Sequence, residues 1–134
     1  MKLVRAASLA TAALLAFAAP AGAAKLDCNN PNTTIDIDQC AGKDYTAADT
    51  VLNALYRQLM AKYDAGNKTL LQAAQRSWIK YRDDQCAYET NMTVGGAIHP
   101  AMETNCRADL TRAQIKRLKA QRDCEEGDLS CNHP

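Results

Sequence analysis

Residues 71–86, LQAAQRSWIKYRDDQC, decide how this chain is read. Leu71, Ala74, Trp78 and Tyr81 recur at alternating steps of three and four, the repeat that lines one face of an α-helix, and they place the single tryptophan on that face. Arg82 and Asp83 follow about one turn after Trp78, and Cys86 about one turn after Arg82. One helix thus carries an aromatic anchor, a charge pair and a thiol in succession. Helical stretches flank it on both sides.

Upstream, Thr33 and Asp36 have capping-box spacing, which predicts a helix starting near Thr34. Its apolar positions Ala48, Leu52, Leu55, Tyr56, Leu59 and Tyr63 keep helical spacing as far as Asp64-Ala65-Gly66, with Gly66 as the predicted stop. Ala41 and Gly42 leave open whether this helix bends or splits. Asn67 or Thr69 is the predicted cap of helix two, which runs to about Thr90, and so short a connection predicts an antiparallel pair. Residues 91–99, NMTVGGAIH, break the pattern, and Gly95 and Gly96 permit backbone conformations closed to other residues. Pro100 then suits the first position of helix three, which extends to roughly Arg122 on a thin apolar face of Cys106, Leu110, Ala113 and Leu118. The predicted fold class is all-α, a small disulfide-stapled three-helix bundle with an antiparallel hairpin of helices one and two.

Residues 1–24 read as a secretory signal peptide: Lys2 and Arg5, an uncharged run of Ala, Leu and Phe17, then Pro20 and small residues up to Ala24. Cys28 follows Lys25, Leu26 and Asp27 rather than small residues, so no lipoprotein-type membrane anchor is expected. The predicted organisation is a helical domain over 25–123 and an acidic tail over 124–134. All six cysteines, Cys28, Cys40, Cys86, Cys106, Cys124 and Cys131, lie beyond the leader, and an even number in a small exported chain predicts three disulfides. Staples worth about 2–4 kcal/mol each suit so small a core. Cys124 with Cys131 would close the tail. Among the other four every pairing is geometrically conceivable, with Cys86–Cys106 and Cys28–Cys40 preferred and Cys40 with either of the later two as the alternative. A metal site is disfavoured, because no C-x-x-C spacing occurs and His99 and His133 are the sole histidines.

Charge is unevenly spread. Asp27, Asp36, Asp38, Asp44 and Asp49 face one Lys43 in the first part, whereas Arg107, Arg112, Lys116, Arg117, Lys119 and Arg122 dominate helix three. Solvated faces and helix-end charges explain much of this. The acidic end could also steer a cationic partner. The basic residues lie on several helix faces without interleaved aromatics, which argues against nucleic acid. Catalytic sets are missing as well. Ser77 and Ser130 are the only serines after the leader, no glycine loop for phosphate or His-Glu-x-x-His helix occurs, and Asp83-Asp84 and Glu125-Glu126 are adjacent pairs whose members point to different helix faces. With the thiols bridged, no nucleophilic cysteine remains. The inventory points away from an enzyme, and no cofactor is implied.

The combination of Cys40, Ala48-Asp49, Leu52-Asn53 and Tyr56 with Leu71, Ala74-Gln75-Arg76, Trp78, Arg82-Asp83 and Cys86, then Gly95-Gly96, Cys106 and Leu110-Thr111, resembles the LprI-type lysozyme-inhibitor domain. The likeness covers nearly all of residues 28–120, and its core is Gln75, Trp78, Arg82 and Asp83 with the flanking cysteines. It implies a small helical bacterial domain, periplasmic or secreted, whose partner is lysozyme or another cell-wall hydrolase. The Cys124/Cys131 pair is additional to the family pattern. Lysozymes cut polysaccharide with two carboxyl groups in a cleft, so an inhibitor must fill or cover that cleft. The candidate partner-binding residues are Gly95 and Gly96 as a narrow tip, Ile98 as an apolar anchor and His99 as a donor to an enzyme carboxylate, with Asp44 and Asp49 assisting approach. His99 has a plainer reading as the cap of helix three. Trp78, Arg82 and Asp83 are read as structural, Trp78 in the core and Arg82 over a ring or paired across to helix one, against a competing reading as an exposed recognition cluster. The alternative function is a periplasmic envelope binding or stress module without inhibitory activity.

Overall fold

A computed structural model of the chain describes residues 25–132; the expected leader, His133 and Pro134 lie outside the described residues. The regular elements of the described chain are three helices, α1 (Thr34–Lys62), α2 (Ala65–Glu89) and α3 (His99–Arg122), and a single 3-10 turn at Asn91–Thr93. There is no strand among the described residues.

Helix α1 starts where its cap places it. The Thr33 hydroxyl accepts from the Asp36 backbone N–H and the Asp36 carboxylate accepts from the Thr33 N–H, both at 3.0 Å. The helix runs unbroken through Ala41 and Gly42, which settles the open question in favour of one long rod. Gly66 is not the stop. The α1 cap is Tyr63, and Asp64 immediately begins α2 by accepting from the Asn67 N–H at 2.7 Å, which leaves Gly66 in the first turn of the new helix. A short carboxylate is among the best N-cap acceptors, so Asp64 displaces the expected Asn67 or Thr69.

The core is a cluster of Ala48, Leu52, Leu55, Leu59 and Tyr63 from α1 with Ile115 and Leu118 from α3, and Tyr56, Leu71 and Trp78 pack against its edge. The closest helix pair is α1 with α3, whereas α1 and α2, although adjacent in sequence, have little close backbone approach. Size explains this order. The buried residues of α1 and α3 include Ala41, Ala48, Ala101, Ala108 and Thr111, and the interaxial distance of packed helices follows the bulk of the side chains between them. Helix α2 instead buries Gln75, Arg82 and Cys86, long or covalently tied side chains that hold its axis further out.

Two further sequence expectations change. On α2, Ala74 and Tyr81 face solvent while Gln75 and Arg82 are buried, so the inward stripe is rotated toward the polar residues of the motif; Trp78 is half-buried at the core's rim. On α3, of the expected Cys106, Leu110, Ala113 and Leu118, just Leu118 is buried, and Ala101, Ala108, Thr111 and Ile115 take the inner face. The disulfides join Cys28 to Cys40, Cys86 to Cys106 and Cys124 to Cys131, the pairs preferred from the sequence. The first ties the N-terminal segment to the opening turns of α1, the second binds the end of α2 to α3, and the third closes the tail.

Candidate partner-binding site

The segment between α2 and α3 is built from consecutive tight turns. Backbone N–H groups of Thr93, Val94, Gly96 and His99 donate to the carbonyls of Thr90, Asn91, Thr93 and Gly96, so each turn starts before the previous one has ended. Gly95 has φ +84°, a left-handed conformation that side chains with a Cβ rarely adopt. At Gly96 a Cβ would come within 3.1 Å of the Thr93 carbonyl oxygen, a tight contact, so the path of the chain demands glycine at 95 and favours it at 96. Side chains reinforce it. The buried Thr90 hydroxyl donates to the Cys86 carbonyl at 2.7 Å, and Thr93 donates to the Thr90 carbonyl at 2.7 Å while lying 2.9 Å from His99 Nδ1. The Cys86–Cys106 bridge fixes the base of the loop.

The loop presents apolar groups that the sequence reading missed. Met92 is 94% exposed and Val94 65%, with Tyr88 exposed on the preceding turn of α2 and Met102 partly exposed on α3. Their signal lay in NMTV itself: apolar residues in a stretch with no helical or strand period have no face by which to reach a core. Gly95 and Gly96 are exposed, as expected of a tip. Ile98 is half-buried at the N-cap of α3, and His99 is held between Thr93 and Glu103, whose carboxylate lies 3.7 Å from Nε2. These two residues support the loop more than they tip it. The acidic residues are also engaged: Asp44 pairs with Arg112 at 2.6 Å, and Asp49 accepts from Asn53 at 2.7 Å. Hydrogen bonds from Arg112 to Asp44 and then to Asp109 hold the guanidinium more firmly protonated than an ordinary arginine.

The motif residues lie behind the loop. The Arg82 guanidinium sits 5.2 Å from the Trp78 ring centre and 5.5 Å from that of Tyr45 on α1, while Arg82 Nε donates to Asp83 at 2.9 Å. Asp83 is 3.5 Å from Arg107 Nε, an ion-pair distance, and Arg107 donates to Glu103 at 2.7 Å. Glu103 faces His99, and His99 meets Thr93. A continuous polar chain therefore runs from the aromatic stack on α2, through α3, to the turn that carries Met92 and Val94. Gln75 lies apart from it, buried, with Oε1 unpartnered among the described residues.

This arrangement offers a shaped surface. Cys124, Asp128 and Cys131 come together in the tail, but both sulfurs are spent in a disulfide, so no thiolate is available to hold a metal. No helix among the described residues is long and apolar enough to cross a membrane. The class is a small disulfide-bridged helical domain that displays one ordered loop. A family model described as lysozyme inhibitor LprI matches residues 27–118, and the chain belongs to that family. An uncharacterized protein of Rhizobium meliloti (strain 1021) is 37% identical over 131 residues, covering 87% of this chain and 94% of its own length. No solved structure matches. The matched segment holds all of α1, α2 and the loop and most of α3, and it stops before the Cys124–Cys131 tail.

Proposed function

We propose that this protein is an exported inhibitor of lysozyme that acts by placing the α2–α3 loop in the enzyme's active-site cleft. The observation that carries the reading is the exposure of Met92 and Val94 on a loop already ordered by overlapping turns, the left-handed Gly95 and a disulfide at its base. Ordering completed on folding is ordering that association does not have to supply, and it raises affinity for a given contact area. Gly95 and Gly96 keep the tip narrow beside Met92 and Val94, while Ile98 and His99 brace it from below. Asp27, Asp36 and Asp38, together with the paired Asp44 and Asp49, give the first part of the chain a negative field that speeds encounter with a cationic enzyme. Export fits the bridges, which persist in an oxidising compartment.

The test is the rate of cell-wall hydrolysis by lysozyme at increasing concentrations of the purified, oxidised protein, beside a reduced and alkylated control. The expected result is a saturable loss of turnover with the oxidised protein, abolished in the control. An envelope binding module without inhibitory activity would leave turnover unchanged at every concentration.

A further inference from the structure

At the opposite end of the bundle from the loop, the close of α1, the opening turns of α2 and the later turns of α3 enclose a cleft of about 270 Å³. This is larger than the roughly 150 Å³ cavity that accepts one benzene ring. Leu59, Tyr63, Leu71 and Leu118 make its walls apolar. Gln75, more than nine-tenths buried, forms part of the wall and also borders the neighbouring hollow beside Asn53, Tyr56 and Ile79, and among the described residues its Oε1 has no hydrogen-bond partner. Arg117 stands exposed on the lining, and among the described residues its guanidinium pairs with no carboxylate. One side is closed by the bridged tail: Gln121 donates to the Ser130 carbonyl and accepts from the Asn132 N–H, which sets Asn132 against the cleft.

We propose that this cleft binds a small hydroxyaryl carboxylic acid. Each part of the ligand answers one feature. An apolar wall formed by three leucines and a tyrosine selects an aromatic body of one ring with a short chain. A buried acceptor without a partner selects a donor, because rotation of the Gln75 amide toward a ligand hydroxyl satisfies an atom that the folded chain leaves unsatisfied. A free guanidinium at the mouth selects an anion, and a carboxylate matches its planar donor geometry. The site is separate from the loop and does not depend on the lysozyme reading.

The experiment is an amide-resolved NMR titration of the full oxidised protein with 3-(4-hydroxyphenyl)propanoate and, separately, with 3-phenylpropanoate. Shifts concentrated at Leu71, Ala74 and Leu118 are expected, with the hydroxylated acid binding about tenfold tighter, the worth of one hydrogen bond. Gln75→Leu should bring the two acids to equal affinity, an effect that a purely structural glutamine would not produce. Arg117→Gln should weaken both acids and leave their amides unaffected. Ala74→Trp, at an exposed position on the cleft wall, should fill the space and abolish binding in a folded protein, which keeps the test decisive if the Gln75 variant does not fold. No shifts at the cleft at millimolar acid, equal affinity of the two acids for the unaltered protein, an unchanged ratio in Gln75→Leu, or binding that survives Ala74→Trp would each overturn the proposal.

Discussion

Helix α1 meets its two neighbours through opposite chemistry. Toward α3 it offers alanines and leucines, and the two helices close to short range over Ala41, Ala48, Ala101, Ala108 and Thr111. Toward α2 it offers Tyr45, whose ring lies 5.5 Å from the Arg82 guanidinium, itself 5.2 Å from the Trp78 ring, beside the edge contacts of Leu71 and Trp78 with the core. The first contact is non-directional and derives from apolar area removed from water. The second is directional, because a planar cation within reach of two rings constrains both the distance and the rotation of α2. One contact supplies stability and the other supplies register, and register decides where the loop at the end of α2 points.

That division can be broken most severely in the leucines. Leu52→Ala or Leu59→Ala should cost about 2–5 kcal/mol in chemical denaturation, since each side chain is almost wholly enclosed and little around it can collapse. Against a total of about 5–15 kcal/mol for an ordinary domain, such a loss approaches unfolding. Arg82→Ala should cost less, about 1–3 kcal/mol, from the lost ring contacts and the hydrogen bond to Asp83. Arg82→Lys should recover little of it, because an ammonium lacks the planar stack. If Arg82→Ala proves as damaging as Leu52→Ala, the two contacts do not divide as described. Asp44→Asn removes the link between α1 and α3 at Arg112, but both side chains are about half exposed, so a loss below about 1 kcal/mol is expected.

A pH measurement sharpens the same contrast. Burial pushes the Tyr63 hydroxyl above the ordinary phenol range. The folded chain therefore holds this proton more tightly than the unfolded chain, so the associated stability is complete below about pH 10 and is lost as the pH rises toward the folded value. Tyr63→Phe should flatten the alkaline fall in denaturation midpoint; a fall unchanged by the substitution would remove Tyr63 as its source.

The sequence shows the apolar contact far more clearly than the directional one. Ala48, Leu52, Leu55, Tyr56 and Leu59 of α1, with Tyr63 at its cap, carry a helical repeat, and all are buried except Tyr56, which is half-buried at the core's edge. The start of α1 was legible because Thr33 and Asp36 satisfy each other locally. On α2 the same rule misplaced the stripe. Glutamine and arginine count as outward residues in any hydropathy pattern, yet an arginine buries its apolar stem and two ring contacts while its charge stays paired. On α3 the inner face has two large apolar residues, Ile115 and Leu118, and is otherwise alanine and Thr111, so hydropathy marks its last turns and not its first. Gly66 was misread because Asp64 two positions earlier acts as a cap. The loop was located correctly by its glycines. Its exposed residues were not, because which side chains turn outward depends on the tight turns, and those turns depend on Thr90, Thr93 and His99.

The loop should be the place where stability and activity separate. Met92→Ala with Val94→Ala removes exposed side chains, so folding stability should change by no more than about 0.5 kcal/mol. The most direct measurement is the concentration of protein that halves lysozyme turnover, compared between the unaltered chain and this double variant. The account predicts inhibition by the unaltered chain and at least about a tenfold weakening in an equally stable variant, since two central apolar contacts are lost. Equal potency of the two proteins, or no inhibition by either, would contradict it.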